Sequence, residues 1–125
     1  MCCNPLKRMP LPPRDRVDLS FRAFADPVRM RLLNILVSGE VCVCDLMTIV
    51  ELPQATVSRH LSYLRRAGLV DVRRDGSWNY YALSSKRTEL HRKLLDCLGL
   101  CFSDVPQLKA DLVRAAKVRK AGGCC

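Results

Sequence analysis

The sequence predicts a mainly helical fold carrying one β-hairpin, and three observations carry that expectation. Apolar residues recur at helical spacing over most of the chain beyond residue 17. The period changes only between Leu69 and Leu83, where β-branched and aromatic residues flank Asp75-Gly76, a turn dipeptide of β-hairpins. The length of 125 residues, 49% of them hydrophobic, suffices for one core and little more.

Residues 1–14 hold four prolines and no periodicity, which predicts a mobile arm over residues 1–16 bearing Cys2 and Cys3. A short first helix is expected over Val17 to Ala25. Asp26-Pro27 then places an N-cap residue before a proline at the first helical position. Val28, Leu32, Ile35 and Leu36 follow at helical spacing until Ser38-Gly39 stops the second helix. A third helix is expected from about Val43 to Val50, and Pro53 marks the next start. Val57, Leu61 and Leu64 form an i, i+4, i+7 stripe on a fourth helix, Gln54 to Ala67, that Gly68 ends.

Two strands, Leu69 to Arg74 and Trp78 to Leu83, make the hairpin. Helix returns from Ser85 to Leu100, breaks at Ser103-Asp104-Val105-Pro106, and resumes from Gln107 to Lys120. Ala121-Gly122-Gly123 reads as a flexible tether for Cys124 and Cys125. The expected division is therefore the arm at 1–16, a central domain at 17–103 and a C-terminal helix with its tail at 104–125. No stretch is long and apolar enough to span a membrane, and the N-terminus has no apolar signal region, so a cytoplasmic protein is expected.

Helix, short helix, turn, helix, hairpin is the order of a winged helix-turn-helix. The fourth helix would be the reading helix. Its buried stripe leaves Gln54, Ala55, Thr56, Ser58, Arg59 and Ser62 outward, groups able to bond base edges or phosphates of duplex DNA. Arg73 and Arg74 stand at the hairpin tip, where a wing reaches flanking backbone. The net charge is +9, and residues 53 to 93 hold nine Lys/Arg against three acids, a balance of +6. A polyanion partner explains that excess, as does a solvated surface. Trp78, Tyr80 and Tyr81 are expected to pack rather than stack on bases.

Eight cysteines in close pairs, without a secretory signal, favour thiolate ligands over a disulfide scaffold. Cys42 and Cys44 stand at the start of the third helix, where the helix terminus favours thiolate. Residues i and i+2 of a regular helix point about 200° apart, so both sulfurs reach one ion only if that start is non-helical or distorts. The competing reading is two small core residues. Cys97 and Cys101 are i, i+4 on the fifth helix and share one face. They suit chelation, with Cys124 or Cys125 folding back to add a sulfur. They equally suit an apolar face beside Leu94, Leu98 and Leu100.

Four segments together, DPVRMRLLNIL, VCVCDL, QATVSRHLSYLRRAGLV and RRDGSWNYYAL, resemble the ArsR/SmtB family of metal-sensing repressors over roughly residues 19 to 100. The resemblance implies a homodimer joined through the first and fifth helices, a palindromic operator, and release from DNA when a sensor site fills. It carries the DNA-contacting stretch onto Gln54, Thr56, Ser58 and Arg59. His60 fits packing at least as well.

Cys42-Val43-Cys44-Asp45-Leu46 resembles the family's arsenic and cadmium/lead motif. The third cysteine common in arsenite sensors is here Met47, a residue expected in the core. The missing sulfur is either not needed, because the inducer is a methylated or aryl arsenical, or comes from Cys2 or Cys3, or the main site is Cys97 with Cys101. Only His91 is available for a zinc-type site on the fifth helix.

The expected effector is thus a trivalent arsenic species, with cadmium or lead as the alternative. A redox-responsive regulator using the same cysteines is the second alternative. An enzyme is not expected, since no Gly-rich anion loop, C-x-x-C or acid–base constellation is present. An ion buffer would leave the reading helix and wing without a purpose.

Overall fold

In a computed structural model, residues 17–102 and 104–122 are described. Six helices and three strands run in the order α1 (Val17–Phe24), α2 (Pro27–Val37), β1 (Val41–Cys42), α3 (Val43–Val50), α4 (Gln54–Arg66), β2 (Val70–Asp75), β3 (Trp78–Leu83), α5 (Glu89–Cys101) and α6 (Pro106–Lys120). The architecture is a winged helix-turn-helix: α3 and α4 form the helix pair, and β2–β3 the wing.

Local chemistry sets the boundaries. The Asp26 carboxylate accepts from the Val28 and Arg29 N–H groups at 2.9 and 3.0 Å, with Pro27 opening the first turn. Such a cap contributes about 1 kcal/mol. Between α3 and α4, Glu51 takes a left-handed conformation (φ 59°) and donates its N–H to the Met47 carbonyl at 2.8 Å. Helix α4 ends in a Schellman turn. Gly68, at φ 79°, donates to Arg65 O, and Leu69 donates to Leu64 O, each at 3.0 Å. Only glycine takes that left-handed position at no steric cost.

Helix α5 starts four residues later than the periodicity predicts. Thr88 caps it, its hydroxyl accepting from the His91 N–H at 3.2 Å while His91 Nδ1 accepts from the Thr88 N–H at 3.3 Å. Residues 85–88 instead form a turn and short connector. The hairpin turn is also shifted by one residue. Asp75 pairs with Trp78, so Gly76 (φ 61°) and Ser77 are its centre.

Strand β1 was not foreseen. It pairs antiparallel with β3, giving the sheet order β1-β3-β2. The register sets Cys42 opposite Tyr80, and Tyr80 opposite Arg73. The core runs through Leu32, Leu33, Ile35 and Leu36 of α2, Leu46 and Ile49 of α3, and Val57, Leu61 and Leu64 of α4. Leu95 and Leu98 of α5 and Leu108 and Ala115 of α6 complete it.

Helix α6 packs on α2 and α3. Its anchor is Asp111, fully buried, whose carboxylate accepts from Arg31 Nε and Nη2 at 2.8 and 3.0 Å and from Gln107 Nε2 at 3.0 Å. That bonding holds the Arg31 guanidinium pKa above its usual value. Arg31 also donates to the Val50 carbonyl at 3.1 Å, which ties α2, α3 and α6 together.

Candidate functional site

The thiol pair sits where strand becomes helix. Cys42 ends β1 as the N-cap of α3, with extended backbone (φ −77°, ψ 158°), and Cys44 lies in the first turn. Because Cys42 is not helical, the 200° divergence of an i, i+2 helical pair does not arise. The two Sγ atoms lie 3.2 Å apart. That spacing brings both sulfurs within reach of one ion. Asp45 joins them: its carboxylate and the two sulfurs all fall within 4.8 Å of one another. Cys42 is 1% exposed, Cys44 half-buried and Asp45 buried. Two sulfurs beside one carboxylate form a donor set for a soft, thiophilic ion.

Convergence of the pair therefore requires no unwinding of α3. Of the two conditions for convergence, a non-helical start and a distorted one, the first holds. Met47 is half-buried against the core.

Cys97 and Cys101 lie together on the exposed side of α5, while Leu98 faces the core. A hydrogen bond between the two thiols is the main reason the Cys97 pKa stands above its ordinary value, which disfavours the ligating thiolate. Cys2, Cys3, Cys124 and Cys125 lie outside the described residues. His91 is committed to structure. Its Nδ1 accepts from Thr88, and its Nε2 sits 2.9 Å from Ser20 Oγ, so Nε2 carries the proton and donates to that hydroxyl. Burial lowers its pKa, and a fifth-helix imidazole site has no free nitrogen to offer.

On the reading helix, Gln54, Ala55, Arg59 and Ser62 are exposed and Thr56 and Ser58 half-exposed. Arg59, Ser62, Arg65 and Arg66 line an open cleft with Val70 and Asp71. His60 faces inward: its Nδ1 accepts from Arg29 Nη1 at 3.4 Å, and burial is the first cause of its lowered pKa. The wing aromatics divide. Tyr81 is buried, Tyr80 is half-buried under the Arg73 guanidinium at 4.4 Å, and Trp78 is 43% exposed. Arg73 also donates to both carboxylate oxygens of Glu40, at 2.7 and 3.1 Å. Arg74 donates to Asn79 Oδ1 at 3.2 Å.

Sequence reasoning missed Glu40, and it missed that Tyr80 and the expected last helix, α6, come to lie beside Cys42. A cavity of about 270 Å³ adjoins Cys42 and is lined by Asp45, Tyr80, Ala115 and Arg119 among others. The contacts that form it join residues about 40 to 80 apart in sequence, and periodicity carries no sign of them.

Comparisons with known proteins agree with this architecture. Residues 26–72 match the family described as "Bacterial regulatory protein, arsR family". The arsenic resistance transcriptional regulator ArsR1 of Pseudomonas putida is 48% identical over 99 residues, which cover 78% of this chain and 76% of that protein. A cadmium resistance transcriptional regulatory protein CadC homolog of Staphylococcus aureus is 36% identical over 87 residues, covering 63% and 72%. Among solved structures, HlyU from Vibrio cholerae superposes with a TM-score of 0.63 at 29% identity, over 70% of this chain and 91% of that one.

Proposed function

This chain belongs to the ArsR family of metal-responsive transcriptional repressors, which are DNA-binding regulators and not enzymes, and from that premise we propose that it leaves its operator when a trivalent arsenical binds Cys42 and Cys44. The observation that carries the reading is the 3.2 Å approach of the two sulfurs at the β1–α3 junction. Taking the zinc–thiolate bond of about 2.3 Å as a guide, two sulfurs on one ion lie about 3.3 Å apart at a right angle and about 3.8 Å apart at the tetrahedral angle. The observed spacing supports both sulfurs meeting one soft, thiophilic centre. One feature favours cadmium or lead instead: the Asp45 oxygen beside the sulfurs adds a harder donor.

Duplex DNA is the partner this reading requires. Gln54, Thr56, Ser58 and Arg59 would face the major groove from α4, and Arg73 and Arg74 the flanking phosphates. Exposed apolar residues Val17 and Phe21 on α1, with Leu100 and Phe102 at the end of α5, support a homodimer through those helices. A cytoplasmic location follows from that role.

The test is operator release followed by fluorescence anisotropy under a phosphine reductant, with sodium arsenite, phenylarsine oxide and cadmium as titrants. Cys42→Ser with Cys44→Ser should bind DNA as the parent does and lose release. Release at the parent's effector concentration refutes the assignment. Release by peroxide without arsenical or metal would favour redox sensing. Arg59→Ala checks the DNA half, with an expected loss of about 1–3 kcal/mol at the operator.

A further inference from the structure

The cavity of about 270 Å³ beside Cys42 lies between the thiol pair and α6. Ile49 of α3 and Ala115 of α6, each 1% exposed, form its buried wall. Tyr80 of β3 and Val118 of α6 line it half-buried, and Arg119 stands exposed at its rim. Protein interiors are close-packed, so a space of this size needs a cause. Here α6 is pinned and cannot settle into it. Arg119 donates to Ser38 Oγ at 2.6 Å and to the Gly39 carbonyl at 2.9 Å, and Arg114 donates to the Ile49 carbonyl at 3.0 Å. The buried Asp111 carboxylate holds the same helix to Arg31. Between these anchors stands Ala115, whose single methyl leaves the room unfilled, with Val118 three residues on along the same face.

The sulfurs stand at the edge of this space. Cys42 lines it, and its Sγ lies 3.2 Å from that of Cys44. A thiolate-bound centre sits about 2.3 Å from sulfur, with the zinc bond as guide, so an arsenic on this pair would stand at the cavity wall. Trivalent arsenic makes three bonds. Two go to Cys42 and Cys44, and one substituent remains. The room beside it is furnished by Ile49, Ala115, Val118 and Tyr80, which suit carbon and not hydroxide. An aromatic ring fits the volume, since an engineered apolar cavity of about 150 Å³ holds benzene.

We propose that this cavity receives the organic substituent of the arsenical, that Ala115 and Val118 set its size, and that aryl arsenicals are therefore the preferred effectors. The proposal rests on the arsenical reading above and deepens it to a class of ligand. The chemistry balances without an oxidant. Phenylarsine oxide, hydrated in water, exchanges two hydroxides for two thiolates. Each thiol proton leaves with a hydroxide as water, the arsenic–carbon bond stays intact, and arsenic stays trivalent. Burying a phenyl-sized apolar group strengthens binding about ten- to a hundredfold.

The experiment uses the full-length protein on operator DNA under a phosphine reductant, with phenylarsine oxide and methylarsonous acid as probes. Both engage two thiols and differ only in the substituent. The ratio of their half-release concentrations, referred to the ratio of their affinities for a small dithiol in solution, reads the cavity. The parent should favour the phenyl probe by at least about tenfold on that scale. Val118→Phe, at the half-buried position, and Ala115→Leu, at the buried one, should each remove most of that preference while leaving the methyl probe within about threefold of the parent. Unfolding midpoints identify a variant that fails to fold, and Val118→Phe decides the matter if Ala115→Leu does. A parent without phenyl preference overturns the proposal, as does a Val118→Phe variant whose ratio stays within about twofold of the parent's. Release of the Cys42→Ser, Cys44→Ser variant by both probes, or no release of the parent by either, instead sinks the arsenical assignment itself.

Discussion

Asp111→Ala should be among the most destabilising single changes in this protein. Asp111 is fully buried, and three hydrogen bonds end on its carboxylate, two of them from Arg31. Truncation leaves the Arg31 guanidinium with the Val50 carbonyl and the attraction of Glu51, in a site where its side chain is 16% exposed. Removing one partner of a buried pair costs about 3–5 kcal/mol, because the remaining charge stays desolvated. Water can reach part of Arg31, so the lower end, about 3 kcal/mol, is expected. With a urea m-value of about 1–3 kcal/mol/M, the unfolding midpoint should fall by about 1–3 M.

The midpoint must be read at one fixed protomer concentration, since self-association shifts it by mass action. Arg31→Leu with Asp111→Leu should recover most of the loss, because the charge then disappears with its partner. A midpoint within about 0.3 M of the parent for Asp111→Ala would refute the argument. It would mean that α6 is held by its other contacts, among them Leu108, Ala115, Arg114 and Arg119, and not by this ion pair.

Two further outcomes follow from the same bonding. Burial holds His60 and His91 below the ordinary 6.5, so both fold as neutral imidazoles. The unfolded chain then binds more protons, and stability is complete above pH 6.5 and declines as pH falls through the lowered folded values. Urea midpoints at pH 7.5 and pH 5 should show that decline, and His91→Gln should flatten it; equal slopes for variant and parent would refute the assignment. Glu40→Gln should leave folding and effector-free DNA binding within a few-fold of the parent while shrinking the arsenical-induced drop in DNA affinity; a full-sized drop measured by anisotropy would show that the Glu40–Arg73 contact carries no signal.

The fold was legible wherever a local signal marks an element end. Asp26-Pro27, Pro53 and Gly68 set boundaries through bonds made within a few residues, and the helices they bound lie where expected. Where two residues competed for one role, the boundary moved. Ser85 begins the apolar period of α5, yet Thr88 caps the helix because only there can His91 close the reciprocal bond. Strand β1 is two residues long, too short to show any period. It exists because β3 has a second edge to pair. The sulfur geometry was legible only as a condition, namely that i, i+2 cysteines converge if the first is not helical. The extended backbone at Cys42 supplies that condition. The placement of α6 over Cys42 was not legible. It depends on Arg119 meeting Gly39 and Arg31 meeting Asp111, each about 80 residues away in sequence.

Strand β1 offers a second route by which an ion at Cys42, bound as proposed, would reach DNA. Through α3 alone, the signal would have to pass across the packed contact with α4, where Leu46, Ile49, Val57 and Leu61 share one buried core that resists small displacements. The sheet offers a shorter route with fewer buried atoms to move. Cys42 pairs with Tyr80, Tyr80 pairs with Arg73, and the Arg73 guanidinium both covers the Tyr80 ring and grips Glu40, two residues before Cys42. If an ion binds at Cys42 as proposed, a shift of β1 would pass to Glu40, the residue just before that strand, and so to the wing arginine that Glu40 holds. Arg73 is solvent-exposed and on a hairpin, where rearrangement disturbs little packing. On the proposed reading, an effector seated on Cys42 and Cys44 would therefore act first on the wing. The reading helix follows only as far as the shared core allows, which is why Glu40, outside both the thiol pair and the DNA-reading helix, is the residue that separates the two routes.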